Sequence, residues 1–280
     1  MNKLLLLSVL LVPGFAVAQT IPGVEITTTL TQVREEPEAF KNVKIRFTVQ
    51  FCSLGNLSNP FFTQFTPTEY VNFHAWADEQ PIWQKSSYED VFGMLFYGKN
   101  NDDLGELCST SIYQRLEVSG VVRNTFQNIP WIEVTSFRTI DGSVDTATLA
   151  HLYRGEQHMQ NRRWQRAVSE FSLANTENAP TSVLFAVQKN LGICNLRMGE
   201  AEAARTHLSA ASEINSSDLQ VKRLLATASE APSSGLDRSV DKSSVKEHER
   251  PLWEAFASTA SATKSNPSNQ TKTVETSARN

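Results

Sequence analysis

The stretch "RRWQRAVSEFSLA" (162–174) decides how the second half of this chain folds. Its Ala167, Phe171 and Ala174 return as Ala204, Leu208 and Ala211 in "GEAEAARTHLSAA" (199–211), and Gly155 returns as Gly192, all at one offset of 37 residues. Spacings of four and three put small, large and small side chains on one helical face. Antiparallel helices approach closely only where small side chains meet. Gly155 with Ala167, and Gly192 with Ala204, therefore read as the contact lines of two successive helical hairpins. Phe171 and Leu208 fill the space one turn further, and Ala174 and Ala211 let the next helix approach.

Outward from that stretch, leucines and alanines recur at three and four throughout 146–228, with no strand alternation. Pro180 suits a first helical position and Gly199 a left-handed helix cap. These positions resemble the tetratricopeptide repeat, a helix-turn-helix unit with a usual period of about 34 residues. The second copy matches through Leu191–Gly192, Gly199, Ala204, Leu208 and Ala211; the first through Gly155, Ala167, Phe171 and Ala174, with Trp164 as a turn-side aromatic. His158 and Asn195 stand where the pattern has tyrosine, and "NTENAPTS" (175–182) absorbs the longer period. Leu225–Ala226 follows Leu191–Gly192 by 34 residues, so "SDLQVKRLLATA" (217–228) is expected as a lone capping helix.

The resemblance implies peptide or protein binding in a concave groove lined by the first helix of each pair. Lys189 and Arg197 would project there from the second copy, with Leu152 and Glu156 in comparable places in the first. The cations with which chaperone-binding members clamp a terminal carboxylate are absent from the first copy. Two repeats and a cap fall short of the three or more repeats such arrays usually need. The helices are therefore expected to pack Leu149 and Leu152 against the preceding region, or to self-associate.

That preceding region has period two. In "VKIRFTVQF" (43–51) Val43, Ile45, Phe47, Val49 and Phe51 point one way and the polar residues the other, the mark of a strand with one buried face. "YVNFHAWA" (70–77) and "DVFGMLFYG" (90–98) read as strands, the latter apolar on both faces. A helical spacing follows in "DDLGELCSTSI" (102–112), then "QRLEVSGVVRN" (114–124) and "PWIEVTSF" (130–137), joined by a four- to five-residue turn around Gln127–Asn128. Three strands, a helix and two strands resemble the OB-fold, a five-stranded Greek-key barrel, over residues 40–140. Gly120 would permit the coiling a small barrel needs.

The OB resemblance implies oligonucleotide or oligosaccharide binding across strands two and three, where Tyr70, His74 and Trp76 could stack on a ring. The competing expectation is that "SLGNLSNPFFTQFTPT" (53–68) covers them, because its Phe61, Phe62 and Phe65 need burial. Between residues 19 and 140 there are 9 Lys or Arg against 14 Asp or Glu, so nucleic acid is not an expected ligand.

Lys3, the apolar run Leu4–Val12 and "AVAQ" (16–19) form a secretory signal peptide cut after Ala18, too short to span a membrane. The product is expected in the periplasm or outside the cell, with no membrane span. Three cysteines remain, of which Cys52 and Cys108 could form a disulfide, while Cys194 reads as a buried thiol. No CxxC, HExxH, glycine-rich phosphate loop or Cys/His cluster is present, so no metal, cofactor or catalytic residue is expected. From about residue 229 the composition turns to Ser, Thr, Asn, Lys and Ala, which predicts a disordered tail. Its exception is "RPLWEAFAST" (250–259), a candidate docking motif with Leu252, Trp253 and Phe256 at helical spacing.

The reading is an α+β, multidomain, exported and non-catalytic protein. A signal peptide (1–18) and an N-terminal extension (19–39) precede an OB-like barrel (40–140), tetratricopeptide-like repeats with a cap (146–228) and a tail (229–280). The repeats are expected to hold a protein partner in the cell envelope. The alternative is a glycan or small ligand on the barrel, with the repeats serving oligomerisation.

Overall fold

Alternation produces the expected strands and then closes them. A computed structural model describes residues 24–57 and 64–230; the signal peptide, Phe61, Phe62 and the tail with its docking motif lie outside these. In chain order, β1 (Ile26–Thr27), α1 (Leu30–Glu35), β2 (Lys44–Leu54), β3 (Tyr70–Ala77), α2 (Lys85–Glu89) and β4 (Phe92–Gly98) come first. Next are α3 (Leu104–Ser109), β5 (Arg115–Phe126) and β6 (Ile129–Ile140). β2 to β6 form a closed five-stranded barrel: β2 pairs with β3, β3 with β4, β4 with β6, β6 with β5, and β5 returns to β2. All these pairings are antiparallel except β4 with β6.

Ile45, Phe47, Val49 and Phe51 fill the barrel with Phe73, Leu95, Val118 and Ile132. Leu30 and Val33 of α1 belong to the same core, so the barrel is completed by residues ahead of position 40. Thr29 and Gln32 form a capping box that starts α1. β1 pairs parallel with Ile45 and Arg46 of β2. Gly120 sits at a register shift, where a Cβ would lie 2.6 Å from the Glu133 carbonyl oxygen, a close approach that only glycine allows. The β5–β6 turn is tighter than its sequence suggested. Phe126 pairs directly with Ile129, leaving Gln127 and Asn128 alone in the turn, both with positive φ.

Both faces of β4 are covered, as its composition required. Tyr97 and Leu95 enter the barrel core, while Phe96 stacks on Phe65 with ring centroids 4.1 Å apart. Phe65 thereby brings the end of the β2–β3 loop down over the outside of the barrel, beside Tyr70.

Five helices follow: α4 (Thr146–Gln160), α5 (Trp164–Ala174), α6 (Thr181–Met198), α7 (Ala201–Ile214) and α8 (Leu219–Glu230). α4 packs on α5 and α6 on α7, and the two hairpins are duplicates in their contacts. A Cβ at Gly155 would meet the Phe171 ring at 2.6 Å, and one at Gly192 would meet Leu208 at 2.4 Å. The 37-residue offset extends further than the sequence reading took it. His151 contacts Glu170 at 2.7 Å, and the equivalent pair, Gln188 with His207, contacts at 2.8 Å with the imidazole on the opposite helix. Gly199 caps α6 at φ 84°. Among the described residues no helix is long and apolar enough to cross a membrane.

The helices do not stand apart from the barrel. Leu149 and Leu152 share one buried cluster with Trp76, Ile82, Trp83, Tyr88 and Tyr113. This core joins the first helical hairpin to the barrel.

Candidate functional site

The junction between barrel and helices converges on Asp78, the first residue after β3. Its carboxylate accepts two hydrogen bonds from Arg115 of β5, both 2.7 Å. Its carbonyl oxygen accepts one from Gln50 of β2 at 3.2 Å and one from Ser182 of α6 at 2.9 Å. Gln50 departs from the alternation that predicted an exposed residue: it is 1% exposed, turned to the Asp78 carbonyl oxygen after β3. Arg115 also reaches the Asp141 carbonyl oxygen at 2.9 Å, holding the strand end from which the chain turns towards α4.

Beside Asp78 lies a cleft of about 540 Å³. Thr28, Thr29, Thr48, Asp78 and Glu79 line its barrel side, and Thr181, Ser182, Phe185, Ile214 and Asn215 its helical side. None of these is a lysine or arginine. The amino end of α6 and the carboxyl end of α7 both border it, so the positive end of one helix dipole faces the negative end of another. A hydroxyl-rich cleft with one aromatic ring and two carboxylates, of which Asp78 is paired with Arg115, suits an uncharged or basic group.

The sequence-derived candidates fall in different places. Trp76 is 1% exposed; its indole donates to the Tyr88 carbonyl oxygen at 2.9 Å and its ring lies against Tyr88 and Tyr113. Tyr70 is half-buried beside Phe65, and its hydroxyl donates to Glu133 at 3.1 Å. Burial and the neighbouring Glu133 carboxylate push that phenol up. His74 is half-buried between Ser53 and the Gly93 backbone, and burial lowers its imidazole. The three share a strand face but not an exposed surface. Trp76 is taken by the helical junction and Tyr70 by the loop.

Lys189 is not free in a groove. Its ammonium pairs with Asp218 at 2.9 Å and lies over the Phe185 ring, tying α6 to the start of α8. Desolvation works against the Asp218 carboxylate, but hydrogen bonds from the Val221 amide and Lys189 hold it below its usual range. Arg197 is exposed. The Cys52–Cys108 bridge is not formed: Cys52 is half-buried, Cys108 is exposed on α3, and both are free. Cys194 is a buried thiol, pushed up to about 12 by desolvation.

Sequence reasoning missed the residues that join the two regions. Trp83 donates through its indole to Glu156 at 2.7 Å, and Gln84 donates to both oxygens of the same carboxylate. The inner face of α4, where Leu152 and Glu156 were expected to meet a ligand, is thus occupied by the chain's own β3–β4 excursion. One signal was available. "PIW" (81–83) puts two large apolar residues in a segment with no strand of its own to bury them.

No family model matches the chain, and neither a curated protein nor a solved structure is similar to it.

Proposed function

We propose that this chain is an exported, non-catalytic binding protein, an OB-like barrel joined to two tetratricopeptide-like hairpins, and that the hairpins hold a protein partner in the cell envelope. The OB-like reading draws support from the ring order, from the parallel pairing of β4 with β6, and from α3 lying between the barrel's third and fourth strands. The repeat reading draws support from the duplicated glycine contacts and the duplicated His151–Glu170 and Gln188–His207 pairs.

The observation that carries the function is the contrast between α4 and α6. The inner side of α4 already receives an irregular polypeptide segment through Trp83 and Gln84. Beside α6 the corresponding side opens on the cleft at Phe185. Its volume lies within the roughly 300–1,000 Å³ of ligand sites. A segment of a partner protein, uncharged or bearing a basic side chain, fits this lining. The second expectation, a glycan on the barrel, draws less support because Trp76 and Tyr70 are already engaged.

The test is affinity capture from the envelope fraction with residues 19–280, alongside Phe185→Glu with Arg197→Glu, and Arg138→Glu on the barrel as control. A stoichiometric protein retained by the control and lost with the α6 variant is expected. A partner insensitive to α6, or enrichment of no protein, overturns the reading.

A further inference from the structure

The two helix ends that border the cleft carry backbone groups their own helices cannot use. Pro180 stands at the cap of α6 and makes no side-chain bond to the first turn. The first amides of a helix have no acceptor within it, and here these are the amides of Thr181, Ser182 and Val183. Ser182 supplies no cap either, because its hydroxyl donates to the Asp78 carbonyl oxygen at 2.9 Å. At the neighbouring carboxyl end of α7, the Asn215 amide closes on the Ala211 carbonyl oxygen. The carbonyls after it, of Ser212, Glu213 and Ile214, have no donor within the helix. Thr181 and Ser182 line the cleft together with Ile214 and Asn215, so amide donors and carbonyl acceptors stand side by side along one wall.

The facing wall brings further acceptors and negative charge. Glu79 is exposed in it beside Thr28, Thr29 and Thr48, while Asp78 is paired with Arg115. Gln50 points to the same side of β2 as Thr48, two positions along the strand. It is 1% exposed, its amide nitrogen donates to the Asp78 carbonyl oxygen, and its Oε1 has no donor among the described residues. A buried acceptor in that state favours an occupant that brings an N–H.

A main chain in extended conformation offers N–H and C=O groups in alternation, which is what the helical wall can receive. A phosphate would meet the α6 amides but also Glu79 and the α7 carbonyls, and a neutral sugar would desolvate Glu79 without a counter-charge. We propose, on the reading of the cleft as a docking site, that it holds its partner by the main chain of an extended segment laid across the end of α7 and the start of α6. A lysine or arginine of that segment pairs with Glu79.

A positional-scanning library of hexapeptides, N-acetylated and C-amidated so that the termini carry no charge, tests this on immobilised residues 19–280. One position is expected to favour Lys and Arg over Glu by about tenfold, the size of one charged hydrogen bond. Glu79→Gln should remove that preference, and Glu79→Lys should turn it towards Asp and Glu. N-methylation of the amides in the best peptide, one at a time, should weaken binding about tenfold at one or more positions. No retained peptide, a basic preference that survives Glu79→Gln, or indifference to every N-methyl group overturns the proposal. So does retention of neutral oligosaccharides from a glycan array in place of peptides. A protein captured through α6 whose binding ignores Glu79→Gln would overturn this mode of recognition and leave the docking site standing. Peptide selection that tracks Glu79 when no envelope protein is captured would do the reverse.

Discussion

Gly155 and Gly192 show how much a single missing methyl group decides. Each faces the large residue of the partner helix, Phe171 or Leu208, and both large residues are fully buried. Alanine at position 155 gains about 1 kcal/mol of helix propensity. It must also displace a ring that has no free volume to enter, an overpacking cost of about 1–3 kcal/mol. Gly155→Ala is therefore expected to lower Tm by a few degrees in thermal unfolding followed by circular dichroism. Pairing it with Phe171→Leu should recover part of that loss, because the smaller side chain vacates the space the methyl needs. If Gly155→Ala raised Tm, the glycine would be a backbone accident rather than a packing requirement.

At the scale of the element, each hairpin is held by a polar pair as well as by its glycine line. In α4–α5 the Glu170 carboxylate is held below its usual range despite its burial, by hydrogen bonds from His151 and Arg154. In α6–α7 the His207 Nδ1–H donates to the Gln188 side-chain oxygen, and burial lowers the imidazole below its ordinary value of 6.5. A histidine lowered in the folded state contributes stability above its unfolded value, and that stability is lost as pH falls through 6.5 towards the folded value. His74 adds a loss of the same sign. Glu170 and Asp218, lowered in the folded state, contribute stability that is complete above the carboxylate value of the unfolded chain and lost as pH falls below it, so they add a separate, more acidic loss. The expected result is a falling Tm from pH 7 to pH 5. The slope should become shallower in His207→Gln, which keeps a hydrogen-bonding partner for Gln188 but does not titrate. An unchanged slope in that variant would remove His207 from the account.

At the scale of the whole molecule, barrel and helices form one folding unit because the second core is shared between them. Trp83 and Ile82 come from the β3–β4 excursion, Leu149 and Leu152 from α4, and all four are buried together. Trp83→Ala removes a buried indole and its bond to Glu156, a change costing about 3–5 kcal/mol. Its expected signature is loss of a single cooperative transition, with the helices melting below the barrel. The isolated fragment 143–230 should accordingly show weak helicity and broad, non-cooperative melting. A sharp transition in that fragment would mean that the two hairpins and α8 fold without the barrel.

The periodicities of two and 3.6 residues are local properties, so the chain by itself determined the strands, the helices, the glycine contacts and the offset that relates the two hairpins. "VKIRFTVQF" and "RRWQRAVSEFSLA" could be read without knowing their neighbours, because burial of one face imprints a repeating pattern on the segment that is buried. The use of each surface was decided only by tertiary structure. Trp76 and Tyr70 looked like a ligand platform until the helical junction and the loop covered them. Lys189 looked free until Asp218 arrived from the turn ahead of α8. Asp78 and Glu156 join regions remote in sequence through single residues. A contact of that kind needs one side chain at one place and leaves no periodic trace, and so it becomes visible only once the chain has folded.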